Sequence, residues 1–163
     1  MLTHLHPATV HFPIAFLLLA SGAGLLYLYW RPLDLLRTLT WWPMRLGWLG
    51  TLVAMLTGLL AQSGLPPDAP YRTVLNGHIT SGVALWVLYG LLLYWQWLFL
   101  KKPARRSKPT PAEPALPMPT DLLQVADAKL RLTVMLLLGS GLIVASGWNG
   151  GQLVYTWGVN VLQ

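Results

Sequence analysis

Cysteine is absent from this chain of 163 residues, and acidic residues are scarce. Without a thiol the chain forms no disulfide, no thiolate metal site, no iron–sulfur cluster and no covalently attached haem, so any metal or haem has to be held by histidine. Only five Asp and Glu residues are present. We recognise no paired carboxylates, no nucleophile with an adjacent base and no phosphate-binding loop, and therefore expect no enzyme activity from the chain by itself.

Charged residues of either sign make up only 10% of the chain, whereas apolar residues make up 55%. The mean hydropathy of +0.53 lies well above that of an ordinary water-soluble domain. Four bilayer-spanning helices of about 20 residues each would use almost the whole length. The composition therefore predicts a single all-α domain over residues 1–163, an integral membrane four-helix bundle in contact with lipid.

Four apolar segments are long enough to cross a bilayer, at about residues 8–30, 44–62, 74–100 and 130–148. The first has no basic N-terminal region and stays apolar up to Trp30, which predicts a retained helix and not a cleaved signal peptide. Residues 101–121 are rich in basic residues and Pro, a composition that does not form a packed core. We expect this segment to be a linker or an extended docking strap, followed by a short surface lead-in to the last span.

Basic residues lie almost entirely on one side of the predicted membrane. The opposite side holds Arg72 alone, and the strap side holds the other ten: Arg31, Arg37, Arg45, Lys101, Lys102, Arg105, Arg106, Lys108, Lys129 and Arg131. The positive-inside rule then places the strap in the cytoplasm and both termini outside, which in a bacterial inner membrane means the periplasm. Anionic lipid headgroups account for the net charge of +6 better than nucleic acid does.

All four histidines fall at the predicted outer face. His11 lies in the first turns of span one and His78 in the first turns of span three, and both spans enter the membrane from the outside. Haem iron takes two axial imidazoles, and bundle cofactor sites are usually built from facing helices. The sequence therefore predicts a haem b held by His11 and His78, with His6 either beside a ligand in the pocket or as an alternative ligand. The pocket residues predicted around this pair are Ala15, Gly82, Trp148 and Tyr155.

Two other interpretations stay open. Interfacial histidines often only cap a helix or bond a headgroup, which would make the chain a cofactor-free structural subunit. His4 and His6, with His11 nearby, also suit an all-histidine copper or zinc site at the outer face. The haem-binding and structural interpretations place the chain in a larger respiratory or photosynthetic complex, and a haem near the outer face implies a periplasmic electron carrier as partner.

A family resemblance is carried by three stretches of residues. They are the opening His6-Pro7-Ala8-Thr9-Val10-His11-Phe12-Pro13-Ile14, the internal His78, and the closing Gly150-Gly151-Gln152-Leu153-Val154-Tyr155 with Trp157-Gly158-Val159-Asn160-Val161. Together they resemble a bacterial predicted-membrane-protein family of unknown function with the signature His-Pro-x-x-Val-His-Phe-Pro-Ile. The resemblance implies a four-helix membrane domain, often encoded beside or fused to Rieske-type or cytochrome domains. Family members often carry a histidine after the tail Tyr, where this chain has Thr156 and Trp157.

Overall fold

The structure, a computed structural model, describes residue 6, residues 9–101 and residues 119–159. This part of the chain forms four long helices and no strand: α1 (His11–Tyr29), α2 (Asp34–Gln62), α3 (Arg72–Lys101) and α4 (Lys129–Tyr155). All four are long and apolar enough to span a membrane, α4 counted with the short lead-in before it. The predicted all-α class and the count of four spanning helices are confirmed. His4 and most of the strap, residues 102–118, lie outside the described residues.

Two helices extend beyond the predicted spans. Helix α2 begins at Asp34, well before the predicted start at residue 44, and runs through the buried Pro43. Helix α4 continues past residue 148, through Gly150 and Gly151, to Tyr155. Hydropathy marks only the part of a helix that suits hydrocarbon, whereas backbone hydrogen bonding continues wherever the side chains still pack.

The helices form two hairpins, α1 with α2 and α3 with α4. Packing is closest inside each hairpin, and the hairpins meet through α1 against α4 and α2 against α3. We call the end that holds residues 63–71 the histidine end, and the end that holds residues 30–33 and 119–128 the strap end. The core between the helices includes Leu17, Met44, Tyr89, Leu92, Leu132 and Leu136. Many other Leu and Val side chains point outward, as lipid contact requires.

The segment before α4 enters the bundle instead of lying at its surface. Two short 3₁₀ turns, Leu122–Gln124 and Ala126–Ala128, replace the predicted surface lead-in, and Leu122 and Leu123 join the core. The carboxylate of Asp121 is buried and accepts hydrogen bonds from Nε1 of Trp41, at 3.1 and 3.0 Å, and from Nε2 of Gln96, at 3.1 Å. Asp121 therefore ties this segment to both α2 and α3.

Cationic side chains at and near the strap end lie over aromatic rings. The four pairs are Arg31 on Trp30, Arg45 on Trp42, Lys101 on Trp97 and Lys129 on Tyr29, with the charge 4.0–5.6 Å from the ring centroid. Aromatic and basic side chains gather at membrane–water boundaries, and the cation–ring contact is itself favourable. The strap end thus has the chemistry of a headgroup boundary.

Candidate functional site

Two imidazoles from different hairpins meet at the histidine end. His6, just before α1, and His78, in the second turn of α3, have ring centroids 6.0 Å apart and ring planes at 82°. Both side chains are half-buried. The pair therefore bridges the slot between the two hairpins.

Each ring is anchored inside its own hairpin. The Nδ1 atom of His6 lies 2.9 Å from the carbonyl oxygen of Ala54 and 3.2 Å from Oγ1 of Thr57, both on α2. The Nδ1 atom of His78 lies 2.9 Å from the carbonyl oxygen of Ser146 and 3.4 Å from its Oγ, on α4. A carbonyl only accepts, so Nδ1 is the nitrogen that donates in each of these hydrogen bonds. The Nε2 lone pair then remains for a ligand, the arrangement that metal-binding histidines commonly adopt.

The surroundings of His6 favour its neutral form. Burial lowers the pKa of His6, the neighbouring His78 lowers it further, and the hydrogen bond to the Ala54 carbonyl opposes them in part. A neutral imidazole is the form that coordinates a metal. His6 therefore keeps a coordinating lone pair at neutral pH.

A glycine lies against each imidazole. A Cβ added at Gly58 would lie 3.1 Å from Cε1 of His6, and one added at Gly150 would lie 3.1 Å from Cε1 of His78. Both distances are shorter than ordinary van der Waals contact, so a larger residue would push the ring away. The missing side chains of Gly58 and Gly150 let the Cε1 edge of each ring approach the neighbouring helix closely.

A cavity of about 450 Å³ surrounds the pair and is lined by residues from all four helices. Its wall is mostly apolar, with Leu17, Met55, Leu85, Ile143 and Val154 among its members. This size and lining are typical of sites for small molecules and cofactors. A shallower groove of about 590 Å³ lies at the strap end beside Tyr29 and Lys129, away from the histidines. We assign the site to the histidine end because only that cavity contains converging imidazoles.

The predicted site residues take different places around this cavity. Five of them line it: His6, His11, His78, Gly82 and Tyr155. His11 is exposed on the cavity wall at the start of α1, whereas His6 is the imidazole that the structure brings beside His78. Ala15 and Trp148 are exposed and lie off the cavity lining. The alternative ligand His4 lies outside the described residues.

Sequence reasoning missed the residues that hold the two rings. The carbonyls of Ala54 and Ser146 carry no side-chain signature, and Gly58 and Gly150 look like ordinary packing glycines of a membrane helix. One local signal was present. His6 and His78 are each followed three residues later by a hydroxyl residue, Thr9 and Ser81. Each hydroxyl donates to the carbonyl oxygen of its histidine at 3.0 Å.

Comparison with known proteins gives one result. Residues 3–163 match the profile of the family described as "Predicted membrane protein (DUF2231)". Searches of curated proteins and of solved structures gave no match. The match covers nearly the whole chain and agrees with the apolar helices described above. The chain therefore belongs to the predicted-membrane-protein family DUF2231, a family of unknown function.

Proposed function

We propose that this chain is a haem b-binding membrane subunit for electron transfer, with His6 and His78 as the axial ligands. The observation that carries the proposal is the imidazole pair itself. Two rings from opposite walls of one apolar cavity have their Nδ1 atoms anchored and their Nε2 atoms left for coordination. His11, the sequence-based partner of His78, lines the same cavity and takes no coordinating role in this proposal.

The separation of the rings suits a single metal centre between them. Metal–nitrogen bonds are about 2 Å long, so two imidazoles that share one ion must have ring centroids within several ångströms of each other. The observed separation is 6.0 Å. The two hairpins pack less closely against each other than the two helices inside each hairpin do, so a flat macrocycle between the hairpins would disrupt helix packing least.

The number of ligands favours haem over a bare ion. Zinc sites need three or four protein ligands, whereas haem iron, already bound by its porphyrin, takes only two. Within the described residues no cluster of three or more His, Asp or Glu is assembled. Bound haem would supply reversible one-electron chemistry, and the chain would hold it through two imidazoles and shield it with apolar side chains.

The spectrum of the purified protein tests the proposal. We expect the reduced-minus-oxidised absorbance of a low-spin, six-coordinate b-type haem, extractable with acid–acetone because no cysteine tethers it. His6→Ala and His78→Ala should each abolish the six-coordinate spectrum. His11→Ala is the matched control and should leave it intact, since His11 lines the cavity without belonging to the pair.

Three outcomes would overturn parts of this proposal. Loss of the spectrum in His11→Ala, with His6→Ala unaffected, would restore the pair expected from sequence. A colourless, folded protein that takes up no added haemin would favour a cofactor-free structural subunit. Copper or zinc lost on His4→Ala would point to a surface metal site.

A further inference from the structure

The two halves of the site repeat each other residue by residue. In the first hairpin, a histidine before α1 bonds the carbonyl of Ala54 and packs on Gly58, four residues later on α2. In the second hairpin, a histidine in α3 bonds the carbonyl of Ser146 and packs on Gly150, four residues later on α4. The hydroxyls of Thr9 and Ser81 complete the repeat, because each lies three residues after its histidine and bonds its carbonyl.

The same correspondence continues deep into the bundle. Leu17 and Tyr89 each lie 11 residues after their histidine, and Gly47 and Gly139 each lie 11 residues before the glycine of their half. A Cβ at Gly47 would lie 2.7 Å from Cγ of Leu17, and one at Gly139 would lie 2.6 Å from the hydroxyl of Tyr89. Each hairpin therefore has a tight glycine contact at an equivalent position.

Most buried positions of α1 and α2 keep one constant offset to a buried position of α3 and α4. A shift of 72 residues carries His6 onto His78, and it carries the buried positions 13, 17, 20 and 24 of α1 onto the buried positions 85, 89, 92 and 96 of α3. A shift of 92 residues carries the buried positions 40, 44, 47, 51 and 61 of α2 onto 132, 136, 139, 143 and 153, which are all the buried positions of α4. The longer connection between α3 and α4 accounts for the difference between the two shifts.

The arrangement of the hairpins has the matching symmetry. Exchanging the hairpins turns the α1–α4 contact into the α3–α2 contact, and these are the two most extensive interfaces between the hairpins. Equivalent helices α1 and α3 both begin at the histidine end and end 72 residues apart, at Tyr29 and Lys101. The relating axis therefore runs along the bundle, as in membrane proteins built from parallel repeats.

We infer that the chain is an internal duplication of a helix hairpin, and that His6 and His78 are equivalent halves of one site on its pseudo-twofold axis, with Gly58 and Gly150 as positioning residues. Such a site takes a metal centre with two equivalent coordination positions on opposite sides. The duplication stands on geometry alone, whereas the identity of the ligand rests on the proposed function. His11 corresponds to Val83, so the duplication gives His11 no equivalent imidazole.

Nitrogen NMR of the ligand-free protein tests the equivalence directly. The full chain carrying His4→Ala and His11→Ala, labelled with ¹⁵N-histidine and held in lipid nanodiscs, retains only the two rings of the pair. At about pH 8, above the ordinary histidine pKa, both rings should be protonated at Nδ1 and bare at Nε2. The variants His6→Ala and His78→Ala each remove one ring and so assign the two signals. Different tautomers in the two rings would overturn the inference.

Paired glycine variants test the positioning role in the same protein. Gly58→Val and Gly150→Val should each shift the ¹⁵N signal of the ring they touch and weaken haemin binding by a similar factor, roughly 10–100-fold. Gly22→Val and Gly141→Val are the controls, since a Cβ at either position meets nothing within 4 Å. An effect confined to one of the paired glycines would overturn the inference. If both rings have the same tautomer but the protein binds no haemin, the proposed function is wrong and the duplication is still supported.

Discussion

The hydroxyls of Ser21 and Tyr89 form a buried hydrogen bond in the middle of the bundle. Ser21 is on α1, Tyr89 is on α3, and their oxygens are 2.6 Å apart. Both side chains are almost fully buried, at 1% and 0% exposure. Burial keeps both hydroxyls away from bulk water, so the cost of removing one of them is the cost of leaving the other unsatisfied.

We expect Ser21→Ala to lower the free energy of unfolding by about 1–3 kcal/mol, because it leaves the buried Tyr89 hydroxyl without its hydrogen-bond partner. Tyr89→Phe should cost a similar amount by stranding Ser21. The double variant should cost less than the sum of the two, since it removes both polar groups together. Detergent-mediated unfolding of all four proteins measures the coupling, and strictly additive costs would show that the hydrogen bond contributes nothing.

At the residue scale, sequence reasoning placed His6, His11 and His78 correctly at one end of the bundle but ranked them by depth in the predicted helix. That ranking favoured His11, which lies inside the helical pattern, over His6, which precedes it. The side-chain direction of His6 is set by a contact 48 residues away, with the carbonyl of Ala54. Backbone carbonyls are identical for every residue type, so no sequence pattern announces this partner.

At the scale of single elements, the segment from Asp121 to Ala128 packs into the core at the strap end, and we call it the plug. Its buried carboxylate satisfies three donors, which are Nε1 of Trp41, Nε2 of Gln96 and the backbone nitrogen of Leu123. The backbone nitrogen of Leu122 lies 3.3 Å from Oε1 of Gln96, its acceptor. The plug therefore holds α2, α3 and the start of α4 in one network.

Removing the Asp121 carboxylate should open this network. We expect Asp121→Ala to cost at least about 2 kcal/mol of unfolding free energy, because it leaves several buried donors without an acceptor. Asp127→Ala is the control, since Asp127 is exposed on the same segment. Thermal unfolding in detergent compares them, and equal stability of the two variants would contradict the plug.

The plug also shows what cannot be predicted about a single element from its sequence. Asp121 and Asp127 look alike in a sequence, and both suggested a surface lead-in. Their difference arises because Trp41 and Gln96 come together at the strap end, 80 and 25 residues from Asp121 along the chain. Whether such a carboxylate is buried depends on how the helices pack against each other. Hydropathy averaged over a window of residues does not report that packing.

At the scale of the whole molecule, the distribution of charge predicts an orientation in the membrane. Ten of the eleven Lys and Arg residues belong to the strap side, and several of these pair with aromatic rings there. The positive-inside rule then predicts a cytoplasmic strap and a histidine end facing outward.

Cysteine labelling tests this orientation without background, because the natural chain has no cysteine. Ser107→Cys should be labelled by a membrane-impermeant maleimide only from the cytoplasmic side, and Gln163→Cys only from the outside. Opening the cells with detergent controls for reagent access. Labelling of Gln163→Cys from the cytoplasm would reverse the orientation and move the imidazole pair to the inner face.

The sequence by itself determined the membrane environment, the four helices and the gathering of histidines at one end. These properties depend on the hydropathy and charge of short stretches of the chain, and both quantities are read directly from the sequence. The tertiary structure alone decided that His6 meets His78, that Gly58 and Gly150 receive their rings, and that the two hairpins repeat each other. Those contacts depend on the rotation and register of each helix against its neighbours, which side chains far apart in the chain set together.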